Sequence, residues 1–134
     1  MKGLGALLRG GGPGLVETYG VEELRRTEDW EACLQASEEG PLFVFKHSTA
    51  CPVSAAAHQR VARYLAEPAE GDAPVRLVRV IESRPVSNAI AEDLGVRHQS
   101  PQVLLLHQRR SLWDASHGGV NETAMRQALA KNDR

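Results

Sequence analysis

Short apolar runs alternate along the chain with stretches whose apolar residues recur at helical spacing. Strands are predicted from the runs, at residues 21–25, 42–46, 75–81, 102–107 and 111–116. Helices are predicted between them, at residues 28–39, 52–66, 86–95 and 122–131. The order β-α-β-α-β-α-β-β-α is typical of an α/β fold, with a parallel sheet core and a C-terminal antiparallel hairpin.

The helices carry their own boundary signals. Thr27 is a good N-cap for the first helix and Asn121 for the last, while Gly95 suits a left-handed C-terminal position. The first helix is expected to turn one face inward, made of Trp30, Cys33, Leu34 and Ser37. The second helix is expected to bury Val53, Ala56, Ala57, Val61 and Leu65.

The glycines are distributed unevenly. Seven of the twelve fall within residues 1–20, which predicts a flexible Gly-rich N-terminal segment there. A single domain is expected over residues 21–130, since 134 residues suit one hydrophobic core. Residues 131–134 are expected to be a frayed tail.

Composition narrows the classes of function. The net charge is −1 and only 4% of residues are aromatic, which argues against nucleic acid or an anionic membrane as a partner. No run approaches the roughly 18 apolar residues of a membrane span, and the N-terminus is too broken by glycine for a signal peptide. We therefore expect a cytoplasmic protein. Its two cysteines are too few for a disulfide framework, and their spacing does not fit structural zinc.

The main chemical candidate is Cys51, which follows the strand at 42–46 and directly precedes Pro52 at the predicted start of a helix. The N–H groups and dipole of a helix N-terminus favour a thiolate, the form that attacks disulfides. Lys46 and His47 lie at the end of the strand and are expected to add positive charge. The competing interpretation is a small, inert, buried thiol.

The residues after Cys51 complete a Cys-x-x-Ser pattern made of Cys51, Pro52, Val53 and Ser54. Serine stands where dithiol oxidoreductases carry their second cysteine, a pattern that is weak by itself. It gains weight from Pro101, which directly precedes a strand. A cis proline there would leave the backbone of the preceding residue free to pair with an extended ligand, and an ordinary trans proline is the alternative.

Together these residues resemble the thioredoxin fold. The stretches "FKHSTACPVS", "SNAIAEDLGVRHQSPQ" and "LWDASHGGVNE" resemble more narrowly the monothiol bacilliredoxin family, the YtxJ-like proteins, over about residues 21–130. The resemblance implies removal of bacillithiol from mixed disulfides with protein cysteines, with Cys51 as nucleophile and Pro101 as the cis proline. It also implies bacillithiol as co-substrate, with no metal or tightly bound cofactor. The Gly-rich lead-in and the glycine-free turn "HQRRS" depart from what we expect of the family.

The substrate contacts follow less directly. The malate group of bacillithiol calls for an anion-binding surface, for which the candidates are Lys46, His47, Arg97 and His98. The backbone of Ser100 is expected to pair with the cysteinyl part of the thiol. Solvated surface charge and structural hydrogen bonding are the alternatives for these cations and histidines. Bacillithiolated client proteins and a small thiol are the expected partners of a monomer.

Other cysteine and histidine positions carry weaker signals. Cys33 is expected to be a small core residue, with a resolving thiol as the alternative. His47, Cys51 and His58 do not match a metal-ligand spacing. Ser116 and His117 fit a helix-entry loop better than a catalytic triad.

Three other functions compete with the oxidoreductase. A redox-inactive thioredoxin-fold module would bind partner proteins through the Pro101 edge and tolerate Cys51→Ser. A monothiol-glutaredoxin-like carrier would hold an iron–sulfur cluster, but Pro52 and Val53 replace the Gly-Phe of the glutaredoxin motif. Peroxidase chemistry ranks last, because Ser48 and Val44 occupy the places where peroxiredoxins carry threonine and proline.

Overall fold

The computed structural model describes residues 14–132 and confirms an α/β fold. Its strands are β1 (Glu22–Glu23), β2 (Leu42–His47), β3 (Val75–Arg79), β4 (Gln102–His107) and β5 (Arg110–Ser116). Its helices are α1 (Leu15–Tyr19), α2 (Thr27–Glu39), α3 (Pro52–Ala66), α4 (Arg84–Leu94) and α5 (Glu122–Lys131), with a 3₁₀ turn at His117–Gly119. Within residues 14–132, every helix is too short or too polar to span a bilayer.

The five strands form one mixed sheet in the order β1-β3-β2-β4-β5. β3 runs parallel to both β1 and β2, whereas β4 runs antiparallel to β2 and β5. The register places Lys46 of β2 opposite Gln102 of β4. The carboxyl end of β2 and the start of β4 therefore meet at the same edge of the sheet.

Both faces of the sheet are covered, so β2 is buried along its whole length. On one face, Phe43 and Phe45 pack in a core with residues of α1, α3 and α5. On the other face, Leu42 and Val44 pack with residues of α2 and α4. Because side chains alternate along a strand, Lys46 and His47 point to opposite faces.

Helix α2 has the predicted inward face, since Trp30, Cys33, Leu34 and Ser37 are all buried. Its start differs from the expectation: Arg26 rather than Thr27 occupies the N-cap position. The Asp29 carboxylate accepts the backbone N–H groups of Arg25 and Arg26 at 2.9 and 3.0 Å. The Asp29 carboxylate, in the first turn, thus accepts the N–H groups of the N-cap residue and of the residue before it, the half of a capping box that the acidic residue supplies.

The predicted inward face of α3 is partly wrong. Val53 is 50% exposed and Ala56 is also exposed, while the buried positions are Ser54, Ala57, Val61 and Tyr64. The helix is turned so that a serine, not a valine, faces β2. The Ser54 hydroxyl is hydrogen-bonded there, which removes the usual penalty for burying a polar group.

The expectation of a flexible segment over residues 1–20 is wrong for its last part. Helix α1 packs Leu15 into the core at 1% exposure, and Gly20 ends it with φ +66° in the left-handed region. Residues 1–13 lie outside the described part of the chain. At the other terminus, Asn132 Nδ2 donates to the carbonyl oxygen of Ala128, and residues 133–134 also lie outside the description.

The hairpin between β4 and β5 turns without glycine. Gln108 and Arg109 both adopt positive φ, at +52° and +63°. Their backbone N–H groups donate to the carbonyl and hydroxyl oxygens of Ser37 at the end of α2, at 2.8 and 3.0 Å. The Arg109 guanidinium also forms ion pairs with Glu31 and Glu38. Contacts with α2 offset the cost of a left-handed backbone in residues that have a Cβ.

Candidate active site

Cys51 occupies the N-cap position of α3 and is half-buried. Its carbonyl oxygen accepts the Ala55 N–H at 3.0 Å, and its own N–H points back to the Ser48 carbonyl at 3.3 Å. Pro52 follows in the first turn, where a residue without an N–H is well tolerated. The sulfur is therefore carried at the positive end of a helix of 15 residues, a position that favours an anionic sulfur.

The serine of the Cys-x-x-Ser pattern is fully buried. The Oγ atom of Ser54 accepts the backbone N–H of Ser48 at 2.9 Å and lies 2.7 Å from Nδ1 of His47. Its hydroxyl proton is thus available to His47. Ser54 ties the loop that leads to Cys51, and the end of β2, to the first turn of α3.

His47 is 8% exposed and enclosed by aromatic rings. It stacks on Phe45 at 5.5 Å between ring centroids and lies 4.8 Å from the ring of His58. Burial, with a smaller contribution from His58, lowers the pKa of His47 to about 4. The imidazole is therefore neutral at neutral pH, and the positive charge expected from it near Cys51 is absent.

Lys46 lies on the other face of the sheet and is fully buried. Its Nζ donates to the carbonyl oxygen of Ser87 in α4 at 3.1 Å and lies 3.2 Å from Nδ1 of His98. Burial lowers the pKa of Lys46 to about 8, and burial followed by the nearby Lys46 and Arg84 lowers the pKa of His98. Lys46 thus joins β2 to α4 and to the loop that precedes β4, away from the His47 side.

The peptide bond between Ser100 and Pro101 is cis, as expected. The Pro101 carbonyl oxygen accepts the His117 N–H at 3.1 Å, and Gln102 Nε2 donates to the carbonyl oxygen of Arg97 at 3.1 Å. Among the described residues, Ser100 Oγ and Gln102 Oε1 are buried side-chain atoms without a hydrogen-bond partner. Arg97 and His98 are exposed on this loop. The pairing of β2 with β4 brings the Ser100–Pro101 edge and the loop of Cys51 to the same end of the sheet.

Two apolar side chains are exposed at this end of the sheet. Val53, next to Cys51, is 50% exposed, and Ile81 is 51% exposed in the turn after β3. The Thr49 hydroxyl donates to the Glu82 carboxylate at 3.2 Å, which links the two turns. The sequence prediction missed Ile81 because it extended the strand to residue 81, whereas β3 ends at Arg79. The available signal was that Ile81 directly precedes the polar stretch "ESRP".

Cys33 is confirmed as a core residue, 2% exposed in α2. It packs with Val44 and Leu42 on the face of the sheet opposite α3, and burial raises its pKa to about 12. It is therefore unsuited to serve as a resolving thiol for Cys51. The described residues contain no group of three or more His, Cys, Asp or Glu side chains placed to hold a metal ion.

The sequence pattern of the family described as monothiol bacilliredoxin BrxC matches residues 22–125. The match spans most of the chain, including the Cys-x-x-Ser helix start and the cis proline. The chain belongs to the monothiol bacilliredoxin family.

Solved structures give the same fold for this bacilliredoxin-family chain. A protein of thioredoxin fold, provisionally named an oxidoreductase, is 29% identical with a TM-score of 0.71, over 87% of this chain and 98% of its own. Thioredoxin from Fasciola hepatica is 15% identical with a TM-score of 0.64, over 83% and 98%. Mitochondrial thioredoxin 3 from Saccharomyces cerevisiae is 12% identical with a TM-score of 0.63, over 84% and 95%. The family and fold are those of thiol–disulfide oxidoreductases.

Proposed function

We propose that this protein removes bacillithiol from mixed disulfides with protein cysteines, using Cys51 as its single redox-active thiol. The observation that carries the proposal is the arrangement at the start of α3. A half-buried cysteine lies at the helix N-terminus, and the position of a second cysteine holds a buried, hydrogen-bonded serine.

The first step is thiol–disulfide exchange. The Cys51 thiolate attacks the bacillithiol sulfur of the client's mixed disulfide, and a new disulfide forms between Cys51 and bacillithiol. The old S–S bond breaks, and the client cysteine leaves as a thiolate that takes a proton from water. No net oxidation occurs, since one disulfide replaces another.

The second step needs a thiol from outside the chain. Ser54 has no sulfur, and Cys33 is buried on the opposite face of the sheet, so neither expels the bound bacillithiol. A free bacillithiol thiolate attacks the bacillithiol sulfur on Cys51, which releases bacillithiol disulfide and regenerates the Cys51 thiolate. Bacillithiol is thus a co-substrate, and neither step calls for a metal or a bound cofactor.

The client and the small thiol have separate candidate contacts. The backbone of Ser100, beside the cis proline, offers a place for an extended peptide to pair. Val53 and Ile81 offer apolar contact around the reacting sulfur. Of the four side chains predicted to contact carboxylates, Arg97 and His98 are the better placed because they are exposed, whereas Lys46 and His47 are buried.

The deciding experiment follows bacillithiol by intact mass. Wild type, Cys51→Ser and the matched control Cys33→Ser each meet a client protein that carries one bacillithiol, with no free thiol added. We expect wild type and Cys33→Ser to gain one bacillithiol while the client loses it, and Cys51→Ser to gain none.

Transfer by neither wild type nor the control would overturn the proposal in favour of a binding module that uses the same edge. Adding free bacillithiol to the loaded wild type tests the second step. Release of bacillithiol disulfide is expected, and an adduct that persists would contradict the monothiol cycle. A purified protein with the visible absorbance of an iron–sulfur cluster would favour the carrier interpretation instead.

A further inference from the structure

Arg60 joins the helix that carries Cys51 to the turn that follows β5. Its Nε donates to the carbonyl oxygen of Val120 at 2.6 Å, and its Nη2 donates to the carbonyl oxygen of His117 at 2.9 Å. The His117 carbonyl lies at the start of the His117–Gly119 turn, and the Val120 carbonyl belongs to the residue directly after it. One guanidinium therefore holds both ends of the turn, in the two-nitrogen geometry that arginine provides and lysine does not.

The turn in question supports the cis-proline edge directly. The N–H of His117 donates to the Pro101 carbonyl at 3.1 Å, one position beyond the last pair of the β4–β5 ladder. His117 adopts φ +55°, a left-handed conformation that is uncommon for residues with a Cβ. Such a conformation persists when its surroundings hold it, and the bond from Arg60 to the His117 carbonyl is part of those surroundings.

These contacts form a continuous path from α3 to the substrate edge. It runs from the Arg60 guanidinium to the His117 carbonyl, through the His117 residue, and from its N–H to the Pro101 carbonyl. Cys51 lies at the start of the same helix, nine positions before Arg60. The path therefore connects the element that carries the nucleophile with the backbone that meets the client.

We propose that Arg60 is a positioning residue for client binding. By holding the His117–Gly119 turn, it fixes the position of the Ser100–Pro101 edge relative to Cys51. This inference rests on the proposed function, because it concerns the client of that same reaction. Arg60 does not touch the reacting sulfurs. Its effect is expected on how a peptide docks and not on the reactivity of Cys51 itself.

The test compares two disulfide substrates, of which one is able to pair with the Ser100–Pro101 edge through a peptide backbone and the other is not. One is a short cysteine-containing peptide in mixed disulfide with bacillithiol, and the other is a small aromatic disulfide without a peptide backbone. With free bacillithiol present at a saturating concentration to regenerate Cys51, Arg60→Met is expected to raise KM for the peptide about tenfold with kcat nearly unchanged, a loss of binding common to ground and transition states. Its rate with the small disulfide is expected to equal that of wild type.

The matched control is Arg63→Met, which removes an exposed arginine from the same helix without touching the turn. It is expected to leave both reactions unchanged. An Arg60→Met variant with wild-type KM for the peptide, or one that slows both disulfides equally, would overturn the positioning role.

Arg60→Lys is the second variant if Arg60→Met does not fold. It keeps the charge but replaces two fixed nitrogens with one, so about a threefold rise in KM is expected. A wild-type KM in this variant would show that charge alone suffices and would overturn the brace. Failure of the proposed function is distinguishable, because wild type itself would then leave the bacillithiolated peptide unchanged.

Discussion

The hydroxyl oxygen of Ser54 lies 2.7 Å from Nδ1 of His47, and it accepts the Ser48 N–H at 2.9 Å. The serine at the second position of the Cys-x-x-Ser pattern is thus a structural link between β2, the loop of Cys51 and α3. A serine cannot act as a resolving thiol, and its hydrogen bonds hold the loop that presents Cys51.

Ser54→Ala is expected to destabilise the fold by about 1–3 kcal/mol, because it leaves the buried Nδ1 of His47 and the partly buried N–H of Ser48 without these hydrogen bonds. The free energy of unfolding in urea measures this. Ser116→Ala, at a partly exposed serine of β5, serves as control and is expected to change stability by less than about 0.5 kcal/mol. Equal stability of the two variants would mean that the Ser54 hydroxyl contributes nothing.

The same contact sets the state of His47. The Ser54 oxygen already accepts the Ser48 N–H, so we expect its hydroxyl to donate to Nδ1 and the ring proton to lie on Nε2. Burial lowers the pKa of the imidazole to about 4, so the ring is neutral above that pH. Nitrogen-15 NMR of the ring, assigned with His47→Gln, reports both the tautomer and the titration. A ring that titrates near 6.5 would contradict the burial seen here.

His47 also makes stability depend on pH with a defined sign. Its folded-state pKa lies below the ordinary value of 6.5, so the unfolded chain takes up the proton first. We expect the free energy of unfolding of wild type minus that of His47→Gln to be constant above pH 6.5 and to decrease as the pH drops towards 4. A difference that grows in that range would reverse the sign and refute the assignment.

Burial of Lys46 makes the stability of the fold depend on pH in the alkaline range. Its folded-state pKa of about 8 lies below the ordinary 10.5, so the cost of burying its charge is complete below pH 8 and disappears as the pH rises towards 10.5. As the pH rises across this window, the free energy of unfolding of wild type is expected to increase by about 2–3 kcal/mol relative to that of Lys46→Met. Urea unfolding of both proteins at several pH values between 7 and 10.5 provides the measurement. A stability difference independent of pH would show that the ammonium is solvated.

The two cysteines are expected to differ sharply in reactivity. Burial raises the pKa of Cys33 to about 12, whereas Cys51 is half-buried at a helix N-terminus. Intact mass after brief treatment with iodoacetamide is expected to show one label on native wild type and on Cys33→Ala, and none on Cys51→Ser. Urea-unfolded wild type takes two labels. A labelled native Cys51→Ser protein would show that Cys33 is accessible after all.

Much of the architecture was predictable because it depends on local patterns. The apolar run from Leu42 onward, Pro52 after Cys51 and Gly95 after a helical stretch marked a buried strand and two helix boundaries within one or two residues. The expectation of a loose N-terminal segment failed at Leu15, because glycine content describes the freedom of the backbone and not whether a nearby leucine finds a core.

Part of the candidate site was likewise predictable from the sequence, and part was not. Cys51 was identifiable from its place between a strand and a helix, and the cis conformation at Pro101 was anticipated from its position before a strand. The partners of Lys46 and His47 were not, because these side chains face opposite sides of the sheet and meet α4 and the first turn of α3, contacts that form only when both helices pack on the sheet. Arg60 and Ile81 were missed for a similar reason, since their importance depends on neighbours brought together only by folding.

The sequence by itself thus determined the strands and main helices from β1 onward and which thiol is placed to react, because apolar periodicity, helix boundary residues and a cysteine before a proline act over a few residues. The tertiary structure alone decided the charge on His47, the burial of Lys46 and the brace from Arg60 to the cis-proline edge. Each of these depends on desolvation and hydrogen bonds between residues 7 to 60 positions apart, and those distances exist only once the sheet has assembled.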